Sequence, residues 1–243
     1  MRHFACLIGF LFVFSSVLFA QVEITPKKVI YIRTGQDVPD FKRTFEVRYP
    51  MVSGIKSKQA LSRMENALDY WRVFEMSLEE NRGDEHWLTS FDYKVNYNRH
   101  SILEIELIMQ GVGAYPDGTV KTLVIDQRTG RRVRVPDVFE NIGGLLVKIE
   151  KSQDQEIAAA IANAKTEFPE DSITLEEMLG GTDYSIKTLD EYSVSEKGVT
   201  FLFDYGFPHV IQAMEPEGRY FFTWKEISGH VKPRGLLGRF IAK

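Results

Sequence analysis

Thiol chemistry is nearly absent from this chain. Cys6 is the only cysteine in 243 residues. It stands before an apolar run rather than after it, so neither a disulfide nor a lipid-acylated terminus is expected. Histidine is scarce as well. Of the five, His3 lies in the N-terminal run, and His86, His100, His209 and His230 are isolated, without the HxxxH, HxH or Cys/His spacings that hold a metal. A GxSxG elbow, a Walker loop and a GxGxxG after a strand are all missing, so no cofactor, no metal and no marked nucleophile are expected. Nor is there an excess of positive charge. With 30 Lys+Arg against 34 Asp+Glu the net charge is −4, which argues against nucleic acid as a partner.

Apolar runs long enough to matter are confined to the start. Arg2, the run over residues 5–19 and the small Ala20 read as a secretory signal over 1–20, too short for a membrane span. No later segment approaches 18 apolar residues in a row, so no membrane span is expected to persist after cleavage, and the expected location is secreted or periplasmic. The remainder is ordinary globular material. Hydrophobic residues are 44% and aromatic residues 12% of the chain, enough for one domain over 21–243, with 41–140 and 141–235 as its halves.

The densest strand signal runs from Phe91 to Gly130. Phe91, Tyr93, Val95 and Tyr97 alternate, as do Ser101, Leu103, Ile105 and Leu107 after a turn. A three-residue loop of Asn98, Arg99 and His100 pairs Tyr97 with Ser101, Val95 with Leu103, Tyr93 with Ile105 and Phe91 with Leu107, which gathers one apolar face. That register puts a left-handed backbone on His100 and sets Lys94 opposite Glu104 on the solvent face. A third strand over 120–126 follows the turn at 115–118, and a fourth covers 132–135. Both rows of the third strand are mostly apolar, so whether Leu123/Ile125 or Val120/Thr122/Val124 faces the core stays open.

Around this meander the pattern alternates. Strands are predicted over 28–33 and 41–49, where Tyr49-Pro50 breaks the ladder. A helix over 56–80 carries the stripe Leu61, Met64, Leu68, Trp71, Phe74 and Leu78, spaced to lie on the apolar face of the hairpin. A second long helix spans 145–167, and a short one over 174–179 is capped by Thr174 and Glu177. Strands over 186–194 and 199–205, pairing Val194 with Val199 and Tyr192 with Phe201, and a last one over 219–224 complete the order. The expected class is α+β: a largely antiparallel sheet, built of a meander plus a hairpin, packed by two long helices.

In this order the segments Tyr49-Pro-Met-Val-Ser-Gly-Ile55, Phe91-Asp-Tyr-Lys-Val-Asn-Tyr-Asn98, Gly113-Ala-Tyr-Pro116, Val124-Ile-Asp-Gln-Arg-Thr-Gly130 and Val135-Pro-Asp-Val-Phe139 resemble the extracytoplasmic RsiV-like domain. The same domain also accompanies PdaC-type peptidoglycan deacetylases. The resemblance implies an exported domain, which in the RsiV-like anti-sigma factors binds lysozyme and in the deacetylases stands beside the enzyme. The chain shows no sigma-binding region before a membrane span, and only a dozen residues follow Val231. Neither sigma regulation nor a deacetylase domain is therefore carried over.

Two constellations are candidates for a site. Arg128, Arg131, Arg132 and Arg134 make a basic turn on an acidic protein, suited to carboxylates or phosphates of envelope polymers or to an acidic protein patch; the alternative is a solvated hairpin end. Asp204 and His209 flank a strand end where a carboxylate could orient an imidazole. A second basic run, Lys232, Arg234, Arg239 and Lys243, is interleaved with Leu236, Leu237 and Phe240, and reads as a tail docked by its apolar residues or one touching anionic lipid. The expected function is an exported binding module for a cell-wall polymer or a protein such as a lysozyme-type enzyme. The alternative is an envelope hydrolase or deacetylase using Asp204 and His209.

Overall fold

The computed structural model describes residues 21–83, 87–167, 172–182 and 184–242, without the side chains of 172–174, 209 and 210. Residues 1–20, where a signal is expected, His86 and Lys243 lie outside the described residues. A six-stranded sheet in the order β1-β2-β3-β4-β5-β6 is built from Glu23–Ile32, Thr44–Ser53, Leu88–Arg99, Ile102–Val112, Pro116–Asp126 and Arg131–Arg132. Every pairing is antiparallel except β2 with β3, which run parallel where Glu46 and Val47 meet Ser90 and Phe91. β2 continues through Pro50, which faces Pro26 on β1. The expected break there does not occur, because β2 borders β3 only near Val47 and no ladder bond from the missing Pro50 N–H is needed.

The connection from β2 to β3 covers one face of this sheet. In place of one helix over 56–80 it forms three short ones, α1 (Lys58–Ala67), α2 (Tyr70–Val73) and α3 (Leu78–Arg82). Ser57, Asp69 and Ser77 each accept a backbone N–H as N-caps, and Glu75 turns to φ 53°, so the chain is restarted twice. The apolar spacing still delivers its side chains to the sheet. Met64, Leu68, Tyr70, Trp71 and Phe74 pack on Phe91, Leu103, Ile105, Leu107, Leu123 and Ile125.

At the β3–β4 hairpin the structure corrects the expected register. The loop is two residues, His100 and Ser101, with φ of 59° and 63°, closed by Arg99 against Ile102. Positive φ at both central positions is what a type I′ turn requires. The left-handed His100 stands, but Val95 faces Ile105, not Leu103, and Lys94 faces Glu106, not Glu104. A bulge at Asn96 separates the two registers. It rotates Tyr97 onto the opposite face, where Tyr97 joins Ile102 and Val124.

That opposite face is also covered. α4 (Val135–Val138), the long α5 (Ile142–Glu167) and α6 (Ser172–Leu179) lead to a second antiparallel sheet of β7 (Tyr192–Val194), β8 (Gly198–Leu202) and β9 (Arg219–Thr223). Val194 pairs with Val199 and Tyr192 with Phe201, as expected. α6 begins at Ser172, so Thr174 lies within its first turn, and the expected cap by its side chain falls outside the described residues. Phe139, Leu145, Ile149, Tyr192, Phe201, Tyr220 and Trp224 form a core with Tyr97, Ile102 and Val124 of the first sheet. Leu123 and Ile125 thus face one core and Val124 the other. The class is α+β, with one long helix rather than two.

The outer position of Lys94 sets one expectation. Its ammonium is 3.9 Å from Glu106 and well exposed, so Lys94→Ala is expected to change the urea-unfolding free energy by less than about 1 kcal/mol.

Candidate functional site

β4 and β5 extend past the second sheet, and a cleft of about 670 Å³ opens between them and the β8–β9 side. Glu106, Val120, Lys121 and Thr122 form one wall, and Leu202, Asp204, Glu217 and Arg219 contribute to the other. Carboxylates outnumber cations along it. Glu191 is shared by Lys121 at 3.8 Å and Arg132 at 3.7 Å, and Glu106 has Lys94 at 3.9 Å. Glu217 lines the cleft and makes no ion pair among the described residues. The start of β9 is held against the cleft by Gly218, at φ 61°, where a Cβ would overlap the Phe203 carbonyl oxygen. The Gly218 N–H donates to Glu156 Oε1 at 3.1 Å.

Glu156 on α5 anchors that corner from behind. Its Oε2 accepts the Tyr220 hydroxyl at 2.8 Å and the Tyr205 hydroxyl at 3.1 Å, and the two hydroxyls are 2.8 Å apart. Burial, the largest cause, pushes Tyr205 up to about 12 and Tyr220 higher still, so both remain neutral donors.

Beside the cleft lies a second hollow of about 310 Å³, lined by Trp87, Tyr115, Pro116, Phe207 and Pro208, which shares Gln212 with it. Gly111 leaves space that the Trp87 indole occupies. The Gly113 N–H donates to the Tyr115 carbonyl at 3.1 Å, closing a bend that leaves Tyr115 59% exposed. An aromatic-walled hollow adjoining a polar cleft suits an extended ligand with alternating apolar faces and hydroxyl edges.

Inside the wall lies a carboxyl that sequence reasoning placed on the solvent face. Glu104 is 2% exposed and accepts Asn96 Nδ2 at 3.2 Å. Burial foremost, and then the charge of Glu106, push it up to about 7. It stands two residues before Glu106 on β4 and does not line the cleft, so it shapes the wall and does not reach a ligand. The sequence signal is the unbroken apolar setting of Ile102, Leu103 and Ile105, which marks a strand covered on both faces.

The arginines of the β5–β6 turn do not converge. Arg128 grips Asp126 with Nε at 3.0 Å and Nη2 at 3.2 Å. Arg132 donates to the Asp190 carbonyl at 3.0 Å and ties the turn to the second sheet. Arg131 and Arg134 are exposed, and neither makes an ion pair among the described residues. Asp204 lines the cleft, with Oδ1 accepting the Gly206 N–H at 2.9 Å. His209 opens the short 3-10 helix His209–Met214, and its side chain lies outside the described residues. The C-terminal run is docked by its apolar residues: Leu237 is buried, and Phe240 stacks on Trp224 with centroids 4.5 Å apart at 3°. Among the described residues no group of three His, Cys, Asp or Glu side chains could hold a metal ion, and no helix is long and apolar enough to cross a membrane.

Fold and cleft together define an α+β domain with an open groove and no assembled catalytic constellation among the described side chains. The fold is similar to that of two solved structures of DUF3298 family proteins. One, from Bacteroides fragilis, has a TM-score of 0.53 and 13% identity over 93% of this chain and 98% of that one. The other, from Pseudomonas aeruginosa, has a TM-score of 0.53 and 12% identity over 88% and 95%. At such identities the likeness is one of fold. No protein-family model matches the sequence, and no curated protein matches it significantly.

Proposed function

We propose that the chain is an exported binding module, of the RsiV-like kind that its sequence resembles, whose groove takes a glycan segment of the cell envelope. The observation that carries this reading is that the polar cleft and the aromatic hollow share Gln212 as a lining residue and so lie side by side. Sugar rings present an apolar face to Tyr115 and Trp87, while carboxylates and threonine hydroxyls along the cleft accept and donate to ring hydroxyls. The test is sedimentation with purified peptidoglycan. Tyr115→Ala is expected to lower retention about three- to tenfold, the worth of one aromatic contact. Phe41→Ala, at an 82% exposed residue outside the groove, should leave retention unchanged. Equal retention of both variants with the parent would remove the groove from the reading.

The surplus of carboxylates favours a second reading, a basic protein such as a lysozyme-type enzyme seated on the same cleft. Capture of such an enzyme that weakens with salt and in Glu215→Gln/Glu217→Gln supports it. The hydrolase or deacetylase alternative rests on Asp204 and His209, and requires glycan turnover that disappears in His209→Ala while the fold survives.

A further inference from the structure

We propose that a hollow at the opposite end of the β4–β5 ribbon is a phosphate-binding site formed by Arg128, Arg234 and Arg239. The ribbon's register places the aromatic hollow beside the Val112–Pro116 pair and this one beside the Ile102–Asp126 pair. The hollow measures about 520 Å³ and is lined by His100, Ser101, Arg128, Arg234, Leu236 and Arg239. Its cations come from two segments distant in the chain, the β5–β6 turn and the docked C-terminal run, brought together because Leu237 is buried and Phe240 stacks on Trp224.

Charge balance is what sets this hollow apart on a protein of net charge −4. The nearby carboxylates are already engaged: Asp126 by Arg128, and Glu196 by the Tyr97 hydroxyl at 2.8 Å and His100 Nε2 at 3.3 Å. Arg234 and Arg239 are exposed and make no ion pair among the described residues. Two uncompensated guanidinium groups, with a third beside them, therefore face one concavity. Guanidinium forks match the oxygens of carboxylate and phosphate. Groups arriving from two separate segments favour the tetrahedral oxygens of phosphate over the two coplanar oxygens of a carboxylate. The Ser101 hydroxyl adds a neutral donor, and the space beside Leu236 accommodates a small organic body on the phosphate.

Calorimetric titration of the purified protein with glycerol 3-phosphate at low salt, and co-sedimentation with phosphatidylglycerol vesicles against phosphatidylcholine vesicles, test this. Saturable binding is expected, weakened at least tenfold in Arg234→Gln/Arg239→Gln. It should stay within twofold of the parent in Arg131→Gln/Arg134→Gln, which removes the same charge outside the hollow. Tyr115→Ala should leave it unchanged, so the outcome is independent of the groove. Binding of glycerol 3-phosphate assigns the site to soluble or polymer-borne phosphate, and binding of the anionic vesicles alone assigns it to a lipid headgroup. No saturable binding of either probe, equal weakening in both double variants, or citrate binding as tightly as glycerol 3-phosphate overturns the proposal.

Discussion

Phe91→Ala is expected to destabilise the protein by about 3–5 kcal/mol, the range for deleting a fully buried aromatic side chain. Phe91 is 0% exposed. It stacks on Tyr70 at 4.8 Å and 4°, on Phe74 at 5.4 Å and 16°, and meets Trp71 edge-on at 5.1 Å. These partners come from α2 and the residue after it, short elements that hold their place chiefly through such contacts. The Tyr70 hydroxyl is fixed separately, donating to the Arg48 carbonyl at 2.8 Å. The neighbours therefore cannot collapse freely into the space left, and the cavity persists. Urea unfolding measures the effect as a lower midpoint at an unchanged slope. A loss under about 1 kcal/mol would mean that this aromatic cluster is not the support of the sheet's first face.

How far the sequence carried depended on how many faces of a strand are covered. The β7–β8 register was legible because Ser195–Gly198 leaves little freedom and Val194 and Val199 must meet. The β3–β4 register was not, because gathering all apolar residues on one face assumes a sheet with one dry side. Here both sides are dry, so Tyr97 could cross at the Asn96 bulge and still be buried. The helix stripe over 56–80 was legible as a stripe but not as three helices. Periodicity records which side chains face inward, whereas Asp69 and Ser77 act locally by capturing backbone N–H groups.

Site residues were less legible for a related reason. The four arginines near 131 are close in sequence, yet two are committed to Asp126 and to the 190–191 segment. Arg234 and Arg239 join Arg128 only through the docking of a distant tail. The groove is equally non-local, since Tyr115, Glu106 and Glu217 share it only after β9 returns alongside β8.

Glu104→Gln is expected to stabilise the protein at alkaline pH and to flatten its stability between about pH 4.5 and 7. The carboxyl is raised from 4.5 to about 7 chiefly by burial, which outweighs the opposing Asn96 hydrogen bond; Glu106 adds to the rise, and Lys94 and Arg219 oppose it less. In that window the folded chain holds a proton that the unfolded chain has released, so raising the pH favours unfolding. The loss begins near the unfolded value, is complete just above 7, and amounts to roughly 3 kcal/mol at about 1.36 kcal/mol per pKa unit. Glutamine preserves the shape and still accepts the Asn96 amide, but has no charge to bury. Urea unfolding of both proteins from pH 4.5 to 8 should show curves that coincide at the acid end and diverge as the pH rises, with the variant above. Parallel curves would mean that Glu104 ionises as freely in the folded protein as in the unfolded chain, and that the wall of the cleft is wet where the fold makes it dry.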